Sequence, residues 1–472
     1  MNLLGDLRAA VGAGNVLVDG DLSAYEVDWR KRHAGRALAV VRPASTDEVA
    51  AVVRLCAAHA TSIVAQGGNT GLVGGSVPDA SGRQVVLSTR RLDRIRVVDA
   101  ANLTMTVDAG CVLQRVQEAA ADAGLMFALS LAAEGSCTIG GTLATNAGGT
   151  QVLRYGNARE LCLGVEVVTA AGDVWNGLSG LRKDNTGYDL RDLFIGSEGT
   201  LGILTAATLK LHPQPAAVLT AMATLPTLGA AVDLLALAQA TLGPGLTGFE
   251  VMNAYSLALV RRHFAGLRQP LAAAPWTILI EHSDVEDEAH GAAALERLLM
   301  AALERGLVDD TAVASSLQQA QAMWQLRESI PLAQAIEGPN VKHDISLPVS
   351  AVQAFVAETD AVLMRTFTGI RLVDFGHLGD GNLHYNVQGT EGGDADEFIR
   401  RHEHAINTLV YDAVAAYGGS ISAEHGIGVL KRDELVTRKS PTALSLMRSI
   451  KAALDPAGVL NPGRVLSMPA RP

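Results

Sequence analysis

Ser62-Ile63-Val64-Ala65-Gln66-Gly67-Gly68-Asn69-Thr70-Gly71-Leu72-Val73-Gly74-Gly75 runs a short strand, Ser62 to Ala65, into a turn with five glycines in ten residues. Such a loop can aim several backbone N–H groups into one concavity, and glycine lets the main chain approach an anion closely. A bound diphosphate is the natural ligand, and a flexible connector is the alternative reading of the same residues. The loop has neither the G-x-G-x-x-G nor the G-x-x-x-x-G-K-[ST] pattern, which excludes the Rossmann and P-loop readings. Upstream, Val40-Val41 reads as a strand and Ser45-Thr46-Asp47-Glu48 as a capping box. Val49, Val52, Val53 and Cys56 then follow at helical spacing. Downstream, Arg94 to Asp99 and Leu103 to Asp108 alternate like a hairpin, and a helix is predicted from Val112 to Ala123. Two more glycine-dense segments follow, Glu134 to Gly149 and Ile195 to Ile203. Three such loops in one α+β region imply several turns converging on one extended ligand. His212-Pro213-Gln214-Pro215 marks a domain boundary, since prolines end the regular pattern.

At 472 residues the chain is too long for one ordinary core. Its 48% hydrophobic and 18% charged residues describe a well-buried globular protein. The net charge of −11, with both signs mixed, disfavours nucleic acid or an anionic membrane surface as the main partner. Cys56, Cys111, Cys137 and Cys162 form no C-x-x-C pair, which argues against iron–sulfur clusters and thiolate zinc. They read as small buried residues in a reducing compartment. No signal-type or transit-type N-terminal pattern and no window of about 18 uninterrupted apolar residues is present, so a cytoplasmic location is expected.

A second constellation is Gly376-His377-Leu378-Gly379-Asp380-Gly381-Asn382-Leu383-His384-Tyr385-Asn386, with Ser422-Ala423-Glu424-His425-Gly426 further on. Two imidazoles and a carboxylate are divalent-metal ligand types. Asp380-Gly381 suits a two-residue hairpin turn, which would set His377 directly opposite His384, with Asn386 on the same face. Polar residues on a solvated strand face are the alternative reading of the His pair.

The segments QGGNTGLVGG, GSCTIGGTLATNAGG, LRKDNTGYDLRDLFIGSEGTLGI, GHLGDGNLHYN, SAEHGIG and LDPAGVLNPGR occur in one order along the chain. Together they resemble the FAD-linked 2-hydroxy acid dehydrogenases of the vanillyl-alcohol oxidase and p-cresol methylhydroxylase fold. The resemblance covers the chain from about residue 36 onward. It implies an α+β architecture with a two-part FAD-binding domain, residues 1–214 and 426–472, and an inserted α+β substrate domain, 215–425.

It also implies roles. Gly67, Gly68, Asn69, Thr70, Gly71 and Leu72 would wrap the FAD diphosphate. Ser136, Gly140, Gly141, Thr145, Asn146, Glu198, Gly202 and Ile203 would contact the cofactor further along, and Asn461 would reach the flavin. Asn69 stands where members with tethered flavin often have His, so non-covalent FAD is expected. His377, His384 and Glu424 resemble the metal ligands, with zinc expected and manganese or cobalt as alternatives. His425 resembles the acid/base, and the alternative for it is a partner that orients Glu424. Asn386 resembles a neighbour of the substrate. Arg327 and Lys342, which alone read as structural ion-pair partners, resemble cations that meet the substrate's carboxylates. Trp324 reads as core.

The implied reaction moves the C2 hydride of a D-2-hydroxy acid to flavin N5 while His425 takes the hydroxyl proton. The closest likeness points to 2-hydroxyglutarate as substrate. Pro331 departs from the pattern, in which a substrate-binding Thr is expected, and it opens D-lactate and D-malate as alternatives. A flavin-dependent transferase and a non-catalytic flavin subunit are rival readings, disfavoured by the His–His–Glu set. The expected electron acceptor is an electron-transferring flavoprotein or a quinone. A homodimer is compatible with the sequence and marked by no feature in it.

Overall fold

The computed structural model describes residues 2–467. The chain divides into two compact units. The first holds residues up to 148, 156–214 and those from 424 onward; the second holds 149–155 and 215–423. The chain passes into the second unit at Pro215. The return falls at Glu424, two residues before the expected 426, and a short excursion at 149–155 joins the second unit.

In the first unit a four-stranded sheet runs β1 (Val16–Leu17), β2 (Ala37–Val41), β4 (Gln84–Ser88), β3 (Ile63–Gln66). β2, β4 and β3 are parallel, so the crossover from β2 to β3 needs a helix, Thr46–Ala58. Ser45 caps that helix by accepting the Glu48 N–H at 3.2 Å, while the Glu48 carboxylate reaches back to the Ala44 N–H at 2.7 Å. Val49, Val52, Val53 and Cys56 bury against Val41, Val85 and Leu87. Each such side chain is worth about 1.5–3 kcal/mol of burial.

An antiparallel five-stranded sheet follows in the order β5 (Ile95–Asp99), β6 (Thr104–Asp108), β10 (Ile203–Lys210), β8 (Cys162–Val168), β9 (Val174–Gly177). A two-residue ladder joins β7 (Leu125–Met126) to β11 (His212–Pro213). The second glycine-dense segment is not all loop: Ile139–Thr145 is helical. Its glycines serve packing, since a Cβ on Gly140 would stand 2.7 Å from the Ala109 Cβ. All four cysteines are buried, and burial pushes the Cys56 and Cys137 thiols up to about 12, leaving them protonated near neutral pH.

Glu166 on β8 braces this unit. Its Oε1 accepts from Arg96 Nη2 at 2.8 Å, Thr46 Oγ1 at 2.6 Å and Thr205 Oγ1 at 2.9 Å. Burial opposes its ionisation, but the Arg96 and threonine bonds prevail and hold the carboxyl below its usual value. A depressed carboxyl stabilises the fold above about pH 4.3 and loses that contribution as pH falls through the folded value. Glu166→Gln should therefore lower stability by about 2 kcal/mol at pH 7 and flatten the acid side of the melting-temperature profile, read by calorimetry.

The second unit is built on an eight-stranded sheet. Its path is β15 (Asp310–Val313), β12 (Ala217–Leu225), β14 (Trp276–Asp284), β13 (Leu246–Asn253), β18 (Arg371–His377), β19 (Asn382–Gln388), β16 (Asn340–Val341), and β17 (Asp344–Ser346) also pairs with β19. Strand alternation splits the sheet into two faces. Ala221, Phe249, Val251, Ile278, Ile280, Leu383 and Tyr385 point to one, under helices Leu228–Leu242, Glu288–Glu304, Val352–Thr366 and Ala395–Ala416. Met222, Met252, Leu279, Val373 and Phe375 point to the other, under Ala254–His263, Leu317–Glu328 and Ile330–Glu337.

Leu228–Gly245 has the length and composition of a membrane crossing. Only 15 of its residues are α-helical, and Leu228, Leu234, Leu235 and Leu242 are buried in the core. Fifteen residues rise about 22 Å, short of a bilayer's hydrocarbon thickness of about 30 Å.

Candidate functional site

In the first unit the glycine loop borders a cavity of about 310 Å³. Gly67, Gly68, Asn69, Thr70, Gly71 and Leu72 line it, together with Gly140, Gly141, Thr145, Glu198, Gly202 and Ile203. Glu424 and His425 line it too. The loop lies hard against the following segment. A Cβ at Gly67 would stand 2.2 Å from Thr138 Oγ1, and one at Gly68 would stand 2.0 Å from the Ser136 carbonyl oxygen. Only glycine fits there, and Thr138 Oγ1 is a buried hydroxyl with no partner among the described residues.

Three predicted contacts do not line this cavity: Ser136, Asn146 and Asn461. Asn146 takes the left-handed C-cap of Ile139–Thr145 at φ +50° and accepts the Arg159 N–H. Asn461 is buried and spends its amide on the carbonyls of Gly75 at 3.0 Å and Glu198 at 2.7 Å, so its side chain braces two loops. Glu198, also at positive φ, accepts the N–H groups of Ile427 at 2.7 Å and Gly428 at 2.8 Å. That carboxylate holds the turn following His425. Asn69 bonds the carbonyls of Ala24 and Val27, which fixes the tip of the glycine loop.

In the second unit the predicted hairpin forms with a different tip. β18 and β19 pair Phe375 with His384, so His377 is not directly opposite His384. The two-residue turn is replaced by a 3₁₀ turn, Leu378–Asp380, closed by Gly381 at φ +81°. The strand ends have other partners: His377 pairs with Glu250 on β13, and Asn382 and His384 pair with Ser346 and Asp344 on β17. Each end is drawn to its outer neighbour, and the tip opens. The shift is two residues, an even number, so the side chains keep their face. The two imidazoles meet diagonally, with centroids 5.7 Å apart.

That face carries groups the sequence reading did not single out. Glu250 lies between Phe249 and Val251, which enter the core, so its side chain must point the other way. It accepts from His377 Nδ1 at 2.6 Å and from Arg327 Nε at 2.8 Å. Burial opposes its charge, yet the His377 and Arg327 interactions hold its carboxyl below the ordinary value. Arg327 is buried at the last turn of its helix, with its guanidinium carbon 4.7 Å above the Phe375 ring. Among the described residues its hydrogen bond is through Nε, leaving the terminal nitrogens for a ligand.

Asn386 shares the face of His384. It accepts the His343 N–H at 3.1 Å and donates to Gln334 Oε1 at 3.0 Å. Lys342 is half-buried between β16 and β17. Trp324 packs on the Met222 and Phe375 side, its indole donating to Glu281 Oε2 at 2.9 Å. A charged residue inside an apolar strand, as in Leu246-Thr247-Gly248-Phe249-Glu250-Val251, was the sequence signal for Glu250.

Residues 214–465 match the family model described as FAD linked oxidases, C-terminal domain, and residues 37–177 match an FAD binding domain. The chain belongs to the FAD-linked oxidases. A D-2-hydroxyglutarate dehydrogenase of Xanthomonas citri pv. viticola is 41% identical over 446 residues, covering 94% of this chain and 92% of that one. A mitochondrial D-2-hydroxyglutarate dehydrogenase of Bos taurus is 40% identical over 454 residues, covering 96% and 81%. The fold is that of p-cresol methylhydroxylase with substrate bound, at a TM-score of 0.77 with 18% identity over 98% of this chain and 96% of that one. This FAD-linked oxidase is thus an FAD-dependent oxidoreductase of the α+β type read from its sequence.

The residues present fit FAD. The oxidase's glycine cradle admits no side chain at Gly67 or Gly68 and leaves a buried hydroxyl unmatched beside the cavity. The His pair fits a divalent ion. Both rings offer a nitrogen within 4.8 Å of the other. Donation of Nδ1–H to Glu250 fixes the His377 tautomer and puts the ring's lone pair on Nε2, the atom that could hold an ion.

Proposed function

We propose that this oxidase converts D-2-hydroxyglutarate to 2-oxoglutarate with non-covalent FAD and a divalent ion, zinc first. The observation that carries this reading is the Glu250 bridge, which sets a carboxylate-binding arginine beside a tautomer-fixed histidine on one sheet face. Relatives about 40% identical over nearly the whole chain bear the same activity in their names. When bound, FAD accepts two electrons and the ion supplies Lewis acidity at the substrate's oxygens.

The protein's own work is then as follows. His377 and His384 hold the ion, with Glu424 as third ligand. Chain connectivity supports Glu424: the N–H of its neighbour Ala423 bonds the Asp344 carbonyl at 3.2 Å, and Asp344 pairs with His384. His425, in the wall of the glycine-loop cavity, takes the hydroxyl proton on an imidazole nitrogen. Arg327 grips a substrate carboxylate through its terminal nitrogens and Lys342 adds a second positive charge. Asn386, fixed by His343 and Gln334, borders the substrate. Asn69 stands in the loop where a tethering His would be needed, which supports non-covalent flavin, releasable by acid precipitation. Electrons would pass to an electron-transferring flavoprotein or a quinone.

One observation favours a second substrate. Pro331, in the first turn of Ile330–Glu337, has neither a hydroxyl nor an N–H to offer a distal carboxylate, which suits D-lactate.

The test is anaerobic. The yellow protein is mixed with D-2-hydroxyglutarate, its L-enantiomer, D-malate or D-lactate, and visible flavin absorbance is followed before and after chelation. Fast bleaching by D-2-hydroxyglutarate alone, lost with chelator and restored by zinc, is the expected result. Bleaching by D-lactate in its place moves the substrate, and bleaching by none of the four refutes the dehydrogenase reading.

A further inference from the structure

Behind the glycine loop, within the first unit, lies a larger cavity of about 730 Å³ that the proposed oxidation does not use. Arg32, Arg83, Arg432 and Arg464 line it with His33, against one carboxylate, Asp79. Asp79 is the one carboxylate among the described lining residues, and Asp433, outside the lining, pairs with Arg432 Nε at 3.0 Å, so positive charge still predominates in a chain whose net charge is −11.

Arg464 is the informative member. It is 5% exposed, and its terminal nitrogens donate to the carbonyls of Pro462, at 2.7 Å, and Val77. Its Nε is buried with no partner, and no carboxylate forms an ion pair with it among the described residues. Burial and the neighbouring Arg432 work against the Arg464 charge more than Asp79 supports it, and an external anion would relieve that cost. Asp79 is poorly placed to do so, since its Oδ1 is spent on the N–H and hydroxyl of Ser81. Arg432 is oriented by the Gly463 carbonyl and by Asp433 Oδ1, each at 3.0 Å, while the exposed Arg83 guanidinium has no partner among the described residues.

We propose that this cavity binds a small polyvalent oxyanion, either a phosphoryl compound or a polycarboxylate. Arginine forks match both anion geometries bidentately, and the volume lies within the usual range of about 300–1,000 Å³ for small-molecule sites. The walls give binding a consequence. One is the segment from Gly74 to Asp79 that leaves the glycine loop, and the other is Pro462 to Arg464, following Asn461. Arg464 already ties the two, so an anion there stiffens the loop from behind and slows loss of FAD.

The experiment uses the full chain loaded with FAD, so that the cofactor's own phosphate site is filled. Titration calorimetry at fixed ionic strength compares pyrophosphate and citrate with chloride. Saturable heat from pyrophosphate supports a phosphoryl ligand, and saturable heat from citrate supports a polycarboxylate. In either case Arg83→Ala and Arg432→Ala should each weaken binding by about tenfold, and the bound anion should slow FAD release several-fold. Both variants keep Arg464 and its bonds to Pro462 and Val77, and Arg83→Ala, which removes no side-chain bond among the described residues, reports on the site and not on folding. Heats no different from chloride, or unchanged affinity in both variants, would overturn the proposal.

Discussion

His425→Ala reduces its flavin about 10²–10⁴-fold more slowly than the parent while keeping full FAD content, the range expected for loss of one positioned general base. Retention of the cofactor follows from how the turn is held. The main chain after His425 is fixed by Glu198, which accepts the N–H groups of Ile427 and Gly428. Gly426, at φ +80°, leaves no room for a Cβ, which would stand 2.8 Å from Glu198 Oε1. None of this involves the imidazole. The side chain borders the cavity beside the glycine loop, where its removal leaves a gap and no strained backbone. Stopped-flow absorbance under anaerobic conditions gives the rate, and acid-released flavin gives the occupancy. Added imidazole should restore part of the rate. A variant that reduces its flavin at the parent rate would assign the proton transfer elsewhere and leave His425 as a partner that orients Glu424.

The glycine loop was legible because its chemistry is local: five glycines after an apolar strand leave little choice of backbone. The same holds for the Ser45 cap and for the β5–β6 hairpin, whose Asp99–Thr104 pairing follows from short-range alternation. Where distant strands compete, the sequence said less. A two-residue turn at Asp380-Gly381 satisfies local preference, but β13 and β17 take the two strand ends and move the pairing by two residues. The two histidines still share a face because a two-residue shift preserves it. Asn461 shows another limit. Its Nδ2 braces Gly75 and Glu198, a role the sequence did not announce because it depends on residues hundreds of positions away. Glu250 was not singled out: a charge within an apolar strand was the available signal, but its partners lie 77 and 127 residues along the chain.

Glu250 is where the second large effect is expected. Its carboxylate is 1% exposed and answers two donors at once, so the consequences of removing it divide by what replaces it. Glu250→Ala leaves the Arg327 guanidinium buried without its counter-charge, a loss of about 3–5 kcal/mol, and the second unit should melt at a much lower temperature. Glu250→Gln keeps the volume and one acceptor oxygen. An amide can accept from Arg327 or from His377 Nδ1, but its nitrogen cannot accept from the other. The His377 tautomer is then no longer imposed, and zinc affinity should fall by about 10–100-fold, as when other carboxylate partners of metal-bound histidines are removed. Equilibrium dialysis against zinc measures this without any turnover, with calorimetry confirming that the variant is folded. Glu250→Asp is shorter by one methylene and, from a fixed β13 backbone, cannot span both the 2.6 Å and 2.8 Å contacts, so it should fall between parent and Gln. A folded Glu250→Gln protein with the parent's zinc affinity would mean that the bridge to His377 serves stability alone.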